Sequence, residues 1–312
     1  MIRVGLAGLG IHGARYAKHV LKGDIPRTTL AAVSRADAEA GRAFADEHGI
    51  EFVADPLDLA THPGLDAVIL SLRPEQHARC ALACLDAGRP VLVEKPLAHD
   101  VASAEAVVAR ARETGVPLMV AHTQRFDALV LRLREEMVSL GAVRLVSIHQ
   151  RFRPAPRPWF DDPVSGGAIR VTGVHALDLL RFLTGAEIVS IRAETARVAS
   201  TRTEDQFVAT LRLEPEGILA TVDNSFVVSG PSLRVEVACE GGQLHADLIH
   251  RTLVRIVGRR YEDLGPVPEV PTVAEALRAF ARCLGEKVPV PITAADGYEA
   301  VRWAEAALRT RT

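Results

Sequence analysis

Hydrophobic and polar positions follow a repeating pattern along residues 1–122. Short apolar runs are each followed by a stretch in which apolar positions recur at helical spacing. The predicted strands cover 2–8, 29–34, 66–72, 91–96 and 116–122, and the predicted helices cover 14–21, 36–49, 75–88 and 102–114. Strands with so little polar alternation are typical of a parallel sheet that is covered by helices on both faces. We therefore predict an α/β domain over 1–122 with a Rossmann, doubly wound parallel sheet.

The pattern changes in the second half of the chain. A helix is predicted over 128–141, then a strand over 143–152, a loop rich in proline and glycine over 153–167, and a helix over 171–183. Strand-like runs follow at 187–198, 206–213, 217–228, 233–239 and 252–257, with helices at 273–285 and 294–310. Close spacing of strands and turns indicates hairpins. We predict a second, α+β domain over 123–312 with an open, mostly antiparallel sheet, whose C-terminal helix is able to pack back on the first domain.

Composition narrows the class of function. The chain of 312 residues has a formal net charge of −2 and no long basic run, so neither nucleic acid nor an anionic membrane is an expected partner. The N-terminus enters a strand at once, which leaves no room for a signal peptide, and a cytoplasmic protein is expected. The four cysteines form no CxxC or His–Cys cluster, so we predict small buried side chains and no metal site.

The segment GLGIHG at 8–13 lies between the first strand and the first helix, as a dinucleotide fingerprint requires. Gly8 permits the tight turn, Gly10 lets a pyrophosphate approach the backbone, and Gly13 lets the helix pack on the strand. The helix N-terminus, with Ile11 and His12, offers N–H groups to the phosphates. The alternative is a glycine-rich turn without a ligand.

The end of the second strand bears on which dinucleotide binds. NAD-specific sites usually place an acid there, whereas this chain has Ser34 and Arg35. A hydroxyl and a guanidinium can both bond a 2′-phosphate, which predicts NADP in preference to NAD. Asp37 is predicted to cap the next helix instead. The alternative is that Arg35 stacks on the adenine and discriminates nothing.

His175 and Asp178 lie three residues apart on the predicted helix 171–183, and that spacing puts them on one face. They are either a satisfied polar pair in a core or a proton carrier with its neighbour. A single histidine in an apolar helix is usually structural, so the helix alone does not decide.

The chain resembles the Gfo/Idh/MocA family over nearly its whole length. The motifs that carry the resemblance are GLGIHG at 8–13, SLRPEQH at 71–77, VLVEKPLA at 91–98, AHTQRF at 121–126, WFDDPVSGGA at 159–168 and GVHALDLLRFLTG at 173–185. Glu94-Lys95-Pro96 at a strand end, with the downstream HxxD, is much more specific than the glycine fingerprint. The resemblance implies a pyridine-nucleotide oxidoreductase acting on hydroxyl or carbonyl groups of sugars, cyclitols and related small molecules.

The resemblance also implies roles for individual residues. Lys95 matches the family lysine beside the nicotinamide, where its charge would stabilise a developing alkoxide, and His175 matches the acid–base histidine. Asp178 is then either an orienting partner of His175 or a domain-packing acid. Glu94 would hold the strand end near the cofactor, and the peptide bond of Pro96 is a candidate for the cis form. The other matches are Ser71, Leu72, Arg73 and His77 at the cofactor, and His122 and Arg125 near the nicotinamide and the substrate. Thr172 is a further candidate at the substrate because its hydroxyl lies near His175.

One position departs from the family pattern. Many dehydrogenases of the family have an aspartate four residues before the histidine, where this chain has Val171. An apolar neighbour tends to lower a histidine pKa, and the departure argues against polyol specificity of the inositol type.

Three functions follow from these observations. The leading interpretation is an NADP-dependent oxidoreductase in which Lys95 and His175 act on one substrate oxygen. The alternatives are an NAD-dependent glycosidase of the same fold and a cofactor-binding sensor that has lost turnover. Because an open sheet exposes a broad apolar face, which family members bury against another subunit, a homodimer or homotetramer is expected.

Overall fold

The computed structural model describes residues 1–153 and 158–310, and its contacts divide the chain into two compact units. The first unit comprises Met1–Thr123 and Pro271–Val301. The second unit comprises Gln124–Val270 together with the chain from Arg302 onward.

Residues 271–301 are the main difference from the predicted domains, because they group with the first unit and not with 123–312. Hydrogen bonds inside the first unit account for this. The Arg278 side chain donates to the backbone oxygen of Asp24 over 3.1 Å. The backbone N–H of Val120, at the sheet edge, donates to the oxygen of Ile292, also over 3.1 Å.

The first unit is built on a six-stranded parallel sheet, which confirms the predicted α/β fold. Its strands are β1 (Ile2–Ala7), β2 (Thr28–Ser34), β3 (Glu51–Phe52), β4 (Ala67–Leu70), β5 (Val91–Glu94) and β6 (Leu118–Ala121). Its helices are α1 (Ile11–Leu21), α2 (Ala38–His48), α3 (Pro56–Thr61), α4 (Pro74–Asp86), α5 (Val101–Thr114) and, later in the chain, α8 (Thr272–Glu286). The strand order β3-β2-β1-β4-β5-β6 puts the topological switch between β1 and β4, where doubly wound folds bind ligands.

Two elements of this sheet layer were not predicted. β3 has two residues and α3 has six, and neither is long enough to display a periodic pattern. The central and edge strands follow the expected pattern, because β4, β5 and β6 are buried at every position.

The second unit carries an eight-stranded sheet in the order β14-β13-β12-β11-β7-β10-β9-β8. The strands are β7 (Val143–Arg151), β8 (Glu187–Ala196), β9 (Gln206–Glu214), β10 (Ile218–Ser225), β11 (Ser232–Cys239), β12 (Gly242–Asp247), β13 (Thr252–Val257) and β14 (Arg260–Asp263). The described pairings are antiparallel except for β7 with β10, as a mostly antiparallel sheet requires. The helices α6 (Ala128–Val138) and α7 (Val174–Thr184) belong to this unit, and α9 (Ala294–Thr310) crosses the division between the units.

Three local features of the second unit differ from the prediction. β12 and β14 were missed because GQLHAD and RYED contain few apolar positions. The helix predicted over 171–183 begins as a π-helical turn, Ile169–Gly173, and becomes α-helical at Val174. Residues 154–157 of the predicted loop lie outside the described residues.

The open face of the second sheet is less apolar than expected. Leu145 and Leu219 are exposed and stand opposite each other on β7 and β10. Polar side chains share the face: Nδ1 of His149 lies 2.5 Å from a carboxylate oxygen of Asp223, which also pairs with Arg151. The face is therefore a mixed surface and not a continuous apolar one.

Burial of the cysteines agrees with the sequence-based interpretation. Cys80, Cys84 and Cys283 are buried as predicted, whereas Cys239 is only half-buried, and all four cysteines are free thiols. Burial raises the pKa of the Cys80 thiol to about 11, which keeps it protonated and unreactive. Among the described residues, no helix combines the length and the apolar character that crossing a bilayer needs.

Candidate dinucleotide and catalytic sites

The glycine-rich turn after β1 fits a dinucleotide. Gly8 has φ +96°, and a Cβ there would lie 2.2 Å from the oxygen of Ser71. A Cβ on Gly13 would lie 1.8 Å from the oxygen of Gly8, so helix and turn pack as the fingerprint requires. A Cβ on Gly10 would meet nothing within 4 Å, which leaves open space beside the backbone.

The start of α1 adds the electrostatics that a phosphate needs. Gly10 occupies the N-cap position without a side-chain hydrogen bond, and the first turn, from Ile11, contains no acidic residue. The positive end of the helix dipole at this turn therefore favours an anion. These observations support the predicted positions of Gly8, Gly10, Ile11, His12 and Gly13 around a phosphate.

At the end of β2, the two residues predicted to select the cofactor, Ser34 and Arg35, have different environments. Ser34 is buried, and its hydroxyl lies at hydrogen-bonding distance, 3.5 Å, from the backbone oxygen of Ala54. Arg35 is half-buried, and Asp37 accepts a hydrogen bond from the N–H of Ala40, as its predicted capping role requires. Arg35 is therefore the side chain of this pair on which a preference for NADP depends.

A cleft with a volume of about 470 Å³ opens near the end of β2. Its lining includes Ala36 from the loop after β2, Asp55 before α3, and Gln76 and Arg79 from α4. The sequence did not single out Gln76 or Arg79, because their helix reads as an ordinary amphipathic one.

The loop after β4 holds the predicted residues Ser71, Leu72 and Arg73, but His77 has a different environment from the predicted one. Its Nδ1 lies 2.7 Å from the oxygen of Pro96, and its Nε2 lies 3.1 Å from the oxygen of Leu72. Burial lowers the pKa of His77, and the two carbonyl acceptors oppose that effect. The imidazole thus ties the loop after β4 to the turn after β5.

The turn after β5 is built around Glu94. One of its carboxylate oxygens accepts a hydrogen bond from the hydroxyl of Tyr16 over 2.8 Å, and the other accepts from the N–H of Lys95 over 3.1 Å. The Lys95–Pro96 peptide bond is cis, as suggested by the motif. Burial raises the pKa of Glu94 and lowers the pKa of Lys95, and the opposite charge of each partner counteracts both shifts.

His122 completes the predicted residues of the first unit. It follows β6 directly and is 1% exposed, and its backbone N–H donates to the oxygen of Val120. The geometry thus places Lys95 and His122 after neighbouring parallel strands, at the carboxyl edge of the sheet.

In the second unit, His175 lies in the first turn of α7, directly after the π-helical turn. Thr172, within that turn, donates its hydroxyl hydrogen to the oxygen of Ala168 over 2.9 Å. The amide nitrogen of Asn224 donates to the same hydroxyl over 2.8 Å. Thr172, predicted at the substrate, therefore uses its hydroxyl to stabilise the turn that leads to His175.

Asp178 forms a bidentate ion pair with Arg125. The guanidinium donates to the two carboxylate oxygens over 2.9 and 2.5 Å. The side chains of Arg125 and Asp178 are 10% and 2% exposed, and the guanidinium also lies 5.2 Å from the ring centre of Phe182. Arg125, predicted near the substrate, thus anchors the helix that carries His175.

Sequence reasoning missed two groups that hold the same helix start. Gln150 on β7 and Asn224 on β10 are inward-facing residues near the ends of their strands, and each is 3% exposed. The amide of Asn224 donates a hydrogen bond of 3.2 Å to the side-chain oxygen of Gln150. Glu204 is buried and accepts from the N–H of Ile169 over 3.1 Å. A polar residue at an inward position of a strand is the signal that would have identified Gln150 and Asn224.

Comparison with known proteins adds two family matches. A model described as "Oxidoreductase family, NAD-binding Rossmann fold" (GFO_IDH_MocA) matches residues 2–122. A model described as "GFO/IDH/MocA C-terminal domain" matches residues 135–245.

Individual relatives cover almost the whole chain. Inositol 2-dehydrogenase 1 from Saccharopolyspora erythraea is 33% identical, over 99% of this chain and 94% of that protein. The crystal structure of a putative myo-inositol dehydrogenase from Sinorhizobium meliloti is 26% identical, with a TM-score of 0.84 over 99% of this chain and 97% of the other. Scyllo-inositol dehydrogenase from Lactobacillus casei, solved with NAD(H) and scyllo-inositol, is 20% identical with a TM-score of 0.86, covering 100% and 97%, and shares the fold.

Proposed function

Because this chain belongs to the GFO/IDH/MocA oxidoreductase family, we propose that it is a nicotinamide-dependent dehydrogenase that oxidises a hydroxyl group of a cyclitol, sugar or related polyol. The observation that carries the proposal is the turn after β5. There a buried carboxylate holds Lys95 directly after the strand, on a sheet whose glycine-rich turn leaves room for a pyrophosphate. The inositol dehydrogenase among the relatives supports a polyol as the substrate class, whereas Val171 in place of the family aspartate argues against the inositol type within that class.

The proposed reaction needs one group that stabilises the substrate oxygen and one group that accepts its proton. Lys95 holds the substrate oxygen and stabilises the negative charge that develops as its proton leaves. His175 accepts that proton on a ring nitrogen, as a general base. The bound nicotinamide supplies the hydride acceptor. Arg125 and Asp178 act by fixing α7, and His77 acts by fixing the turn that carries Lys95.

Support for the form of the cofactor is divided. The family description names NAD, and a structural neighbour was solved with NAD(H), so NAD is the better-supported form. The preference for NADP that was predicted from Ser34 and Arg35 has lost part of its basis, since the Ser34 hydroxyl faces Ala54. It now rests on Arg35 alone and stays a prediction.

The test is turnover of the purified protein with a substrate panel. Myo-inositol, scyllo-inositol, glucose and UDP-N-acetylglucosamine are each offered with NAD⁺ and with NADP⁺, and the reduced nicotinamide is followed by its fluorescence. We expect turnover with at least one polyol. Lys95→Met should lower kcat at least about 100-fold, the scale of one preorganised electrostatic group. His175→Ala should lower it about 10²–10⁴-fold, the scale of a general base.

Adding aryl glycosides to this panel separates the alternatives. Cleavage of aryl glycosides with no net reduction of cofactor would identify a glycosidase. Tight binding of cofactor with no turnover of any substrate would identify a sensor. If His175 is only a core group, His175→Ala should lower the melting temperature and leave turnover per folded molecule intact.

A further inference from the structure

Tyr16 is a buried hydroxyl that the proposed reaction does not yet use. It lies on α1, the helix that follows the glycine-rich turn, and is 0% exposed. Its hydroxyl donates to a carboxylate oxygen of Glu94 over 2.8 Å, across 78 residues of sequence. The other oxygen of Glu94 accepts from the N–H of Lys95. A continuous chain of hydrogen bonds therefore runs from α1 to the residue proposed to act on the substrate oxygen.

The contacts in this chain favour the charged form of Glu94 and, through it, the charged form of Lys95. A buried carboxylate is costly unless hydrogen-bond donors and opposite charges compensate it. Glu94 is 8% exposed, and its donors are the Tyr16 hydroxyl and the Lys95 N–H. Burial raises the pKa of Glu94, while Lys95, Tyr16 and the charge of Arg15 lower it. The charge of Glu94 in turn opposes the lowering of the Lys95 pKa by burial.

We propose that Tyr16 is a positioning residue for the proposed dehydrogenase reaction: its hydroxyl keeps Glu94 a carboxylate, and that carboxylate keeps Lys95 a charged ammonium. The inference rests on the proposed role of Lys95, since only a charged lysine stabilises an alkoxide. Tyr16 acts through Glu94 and is assigned no contact of its own with substrate or cofactor. The charge of Lys95 in turn helps to lower the pKa of His77, whose ring is bonded to the oxygen of Pro96.

The lysine content of the chain permits a direct test. The sequence contains four lysines, Lys18, Lys22, Lys95 and Lys287, and all except Lys95 are exposed. Trace labelling of the whole protein with acetic anhydride across a pH series, with peptide mass spectrometry, reports the pH at which each amine loses its proton. The three exposed lysines serve as internal standards in every sample.

Tyr16→Phe removes the hydroxyl and keeps the ring. Glu94 then loses a donor, becomes easier to protonate, and exerts less negative charge on Lys95. We expect the half-labelling pH of Lys95 to fall by roughly half to one unit, which is about a three- to tenfold change in its free-amine fraction at a fixed pH. Labelling of the other three lysines should not move. Tyr261→Phe, at a tyrosine that is 69% exposed on β14, is the matched control and should change nothing.

Glu94→Gln keeps the volume and removes the charge. It should lower the half-labelling pH of Lys95 at least as far as Tyr16→Phe does. Adding Tyr16→Phe to Glu94→Gln should then have no further effect, because Tyr16 acts through Glu94. An unchanged Lys95 profile in Tyr16→Phe, or additive shifts in the double variant, would overturn the proposal. If Tyr16→Phe does not fold, as judged by circular dichroism, an unchanged profile in Glu94→Gln overturns it.

The labelling readout needs no substrate, so the two proposals fail separately. A shifted Lys95 profile in a protein that oxidises no polyol would remove the proposed function and keep the Tyr16–Glu94–Lys95 chain. Polyol turnover with an unshifted Lys95 profile would keep the proposed function and remove the Tyr16–Glu94–Lys95 chain. In an active enzyme, the alkaline limb of the kcat profile should move with the Lys95 labelling profile, because loss of the ammonium removes the alkoxide stabilisation.

Discussion

At the scale of single residues, several side chains that were predicted at a ligand form hydrogen bonds to other parts of the protein. Arg35 is half-buried at the end of β2. Hydrogen bonds to other protein groups are made by the side chains of Ser34, His77, Thr172 and Arg125. A motif match gives the position of a residue and not the direction of its side chain. Four of the residues that were predicted to bind a ligand are thus observed to bond to other parts of the protein.

The predicted preference for NADP depends on Arg35. If it binds a 2′-phosphate, Arg35→Asp should weaken NADPH binding by about 1–3 kcal/mol, the scale of a lost charge-assisted hydrogen bond, and leave NADH almost unchanged. Binding of both cofactors is measured by nicotinamide fluorescence. Equal or tighter NADH binding by the unaltered protein would contradict the preference for NADP.

At the scale of elements, the start of α7 is held from several sides. The π-helical turn before His175 is bonded to Glu204, Thr172 to Asn224, and Asp178 to Arg125. Turns of this kind are frequent at functional sites and need support from the surrounding structure. The support here consists of buried polar pairs whose members come from distant parts of the chain.

The ion pair between Asp178 and Arg125 should be the costliest of these contacts to break. Asp178→Asn leaves a buried guanidinium without its counter-charge, and we expect about 3–5 kcal/mol of lost stability in urea unfolding. The same helix offers a matched control. Arg181 makes an equally bidentate pair with Glu187, whose side chain is 60% exposed, and Glu187→Gln should cost about 0–1 kcal/mol. Similar costs for the two variants would show that burial does not decide the strength of the pair.

At the scale of the whole molecule, the open face of the second sheet bears on assembly. It carries Leu145 opposite Leu219, with Val208 exposed on the adjoining strand β9, among charged and hydroxyl side chains. A mixed face of this kind suits an interface with an apolar centre and polar surroundings. We keep the expectation of a homodimer or homotetramer as a proposal.

Light scattering after size exclusion tests that assembly. We expect a dimer or a tetramer at micromolar concentration, and Leu219→Glu should shift it towards the monomer by placing a charge at the centre of the face. Leu131→Glu, at an exposed leucine of α6, should leave the mass unchanged. A stable monomer of the unaltered protein would refute the proposal.

The sequence by itself determined the elements whose signals are local. The strands β1, β2, β4, β5 and β6 and the glycine-rich turn were predicted from neighbouring residues, and the Glu94-Lys95-Pro96 motif was identified through the family resemblance. Their physical basis lies within a few positions: helical or strand periodicity, a positive φ at Gly8, and a proline after Lys95. The short elements β3, β12 and β14 have too few apolar positions to give such a signal.

Only the tertiary structure decided which polar groups meet. Tyr16 and Glu94 are 78 residues apart and Arg125 and Asp178 are 53 apart, and no local pattern links either pair. Periodicity predicts that a side chain points inward, whereas its partner depends on which strand or helix lies across from it. A hydrogen bond forms only within a few tenths of an ångström of its ideal distance, so these contacts follow from the packed fold and not from the pattern that built it.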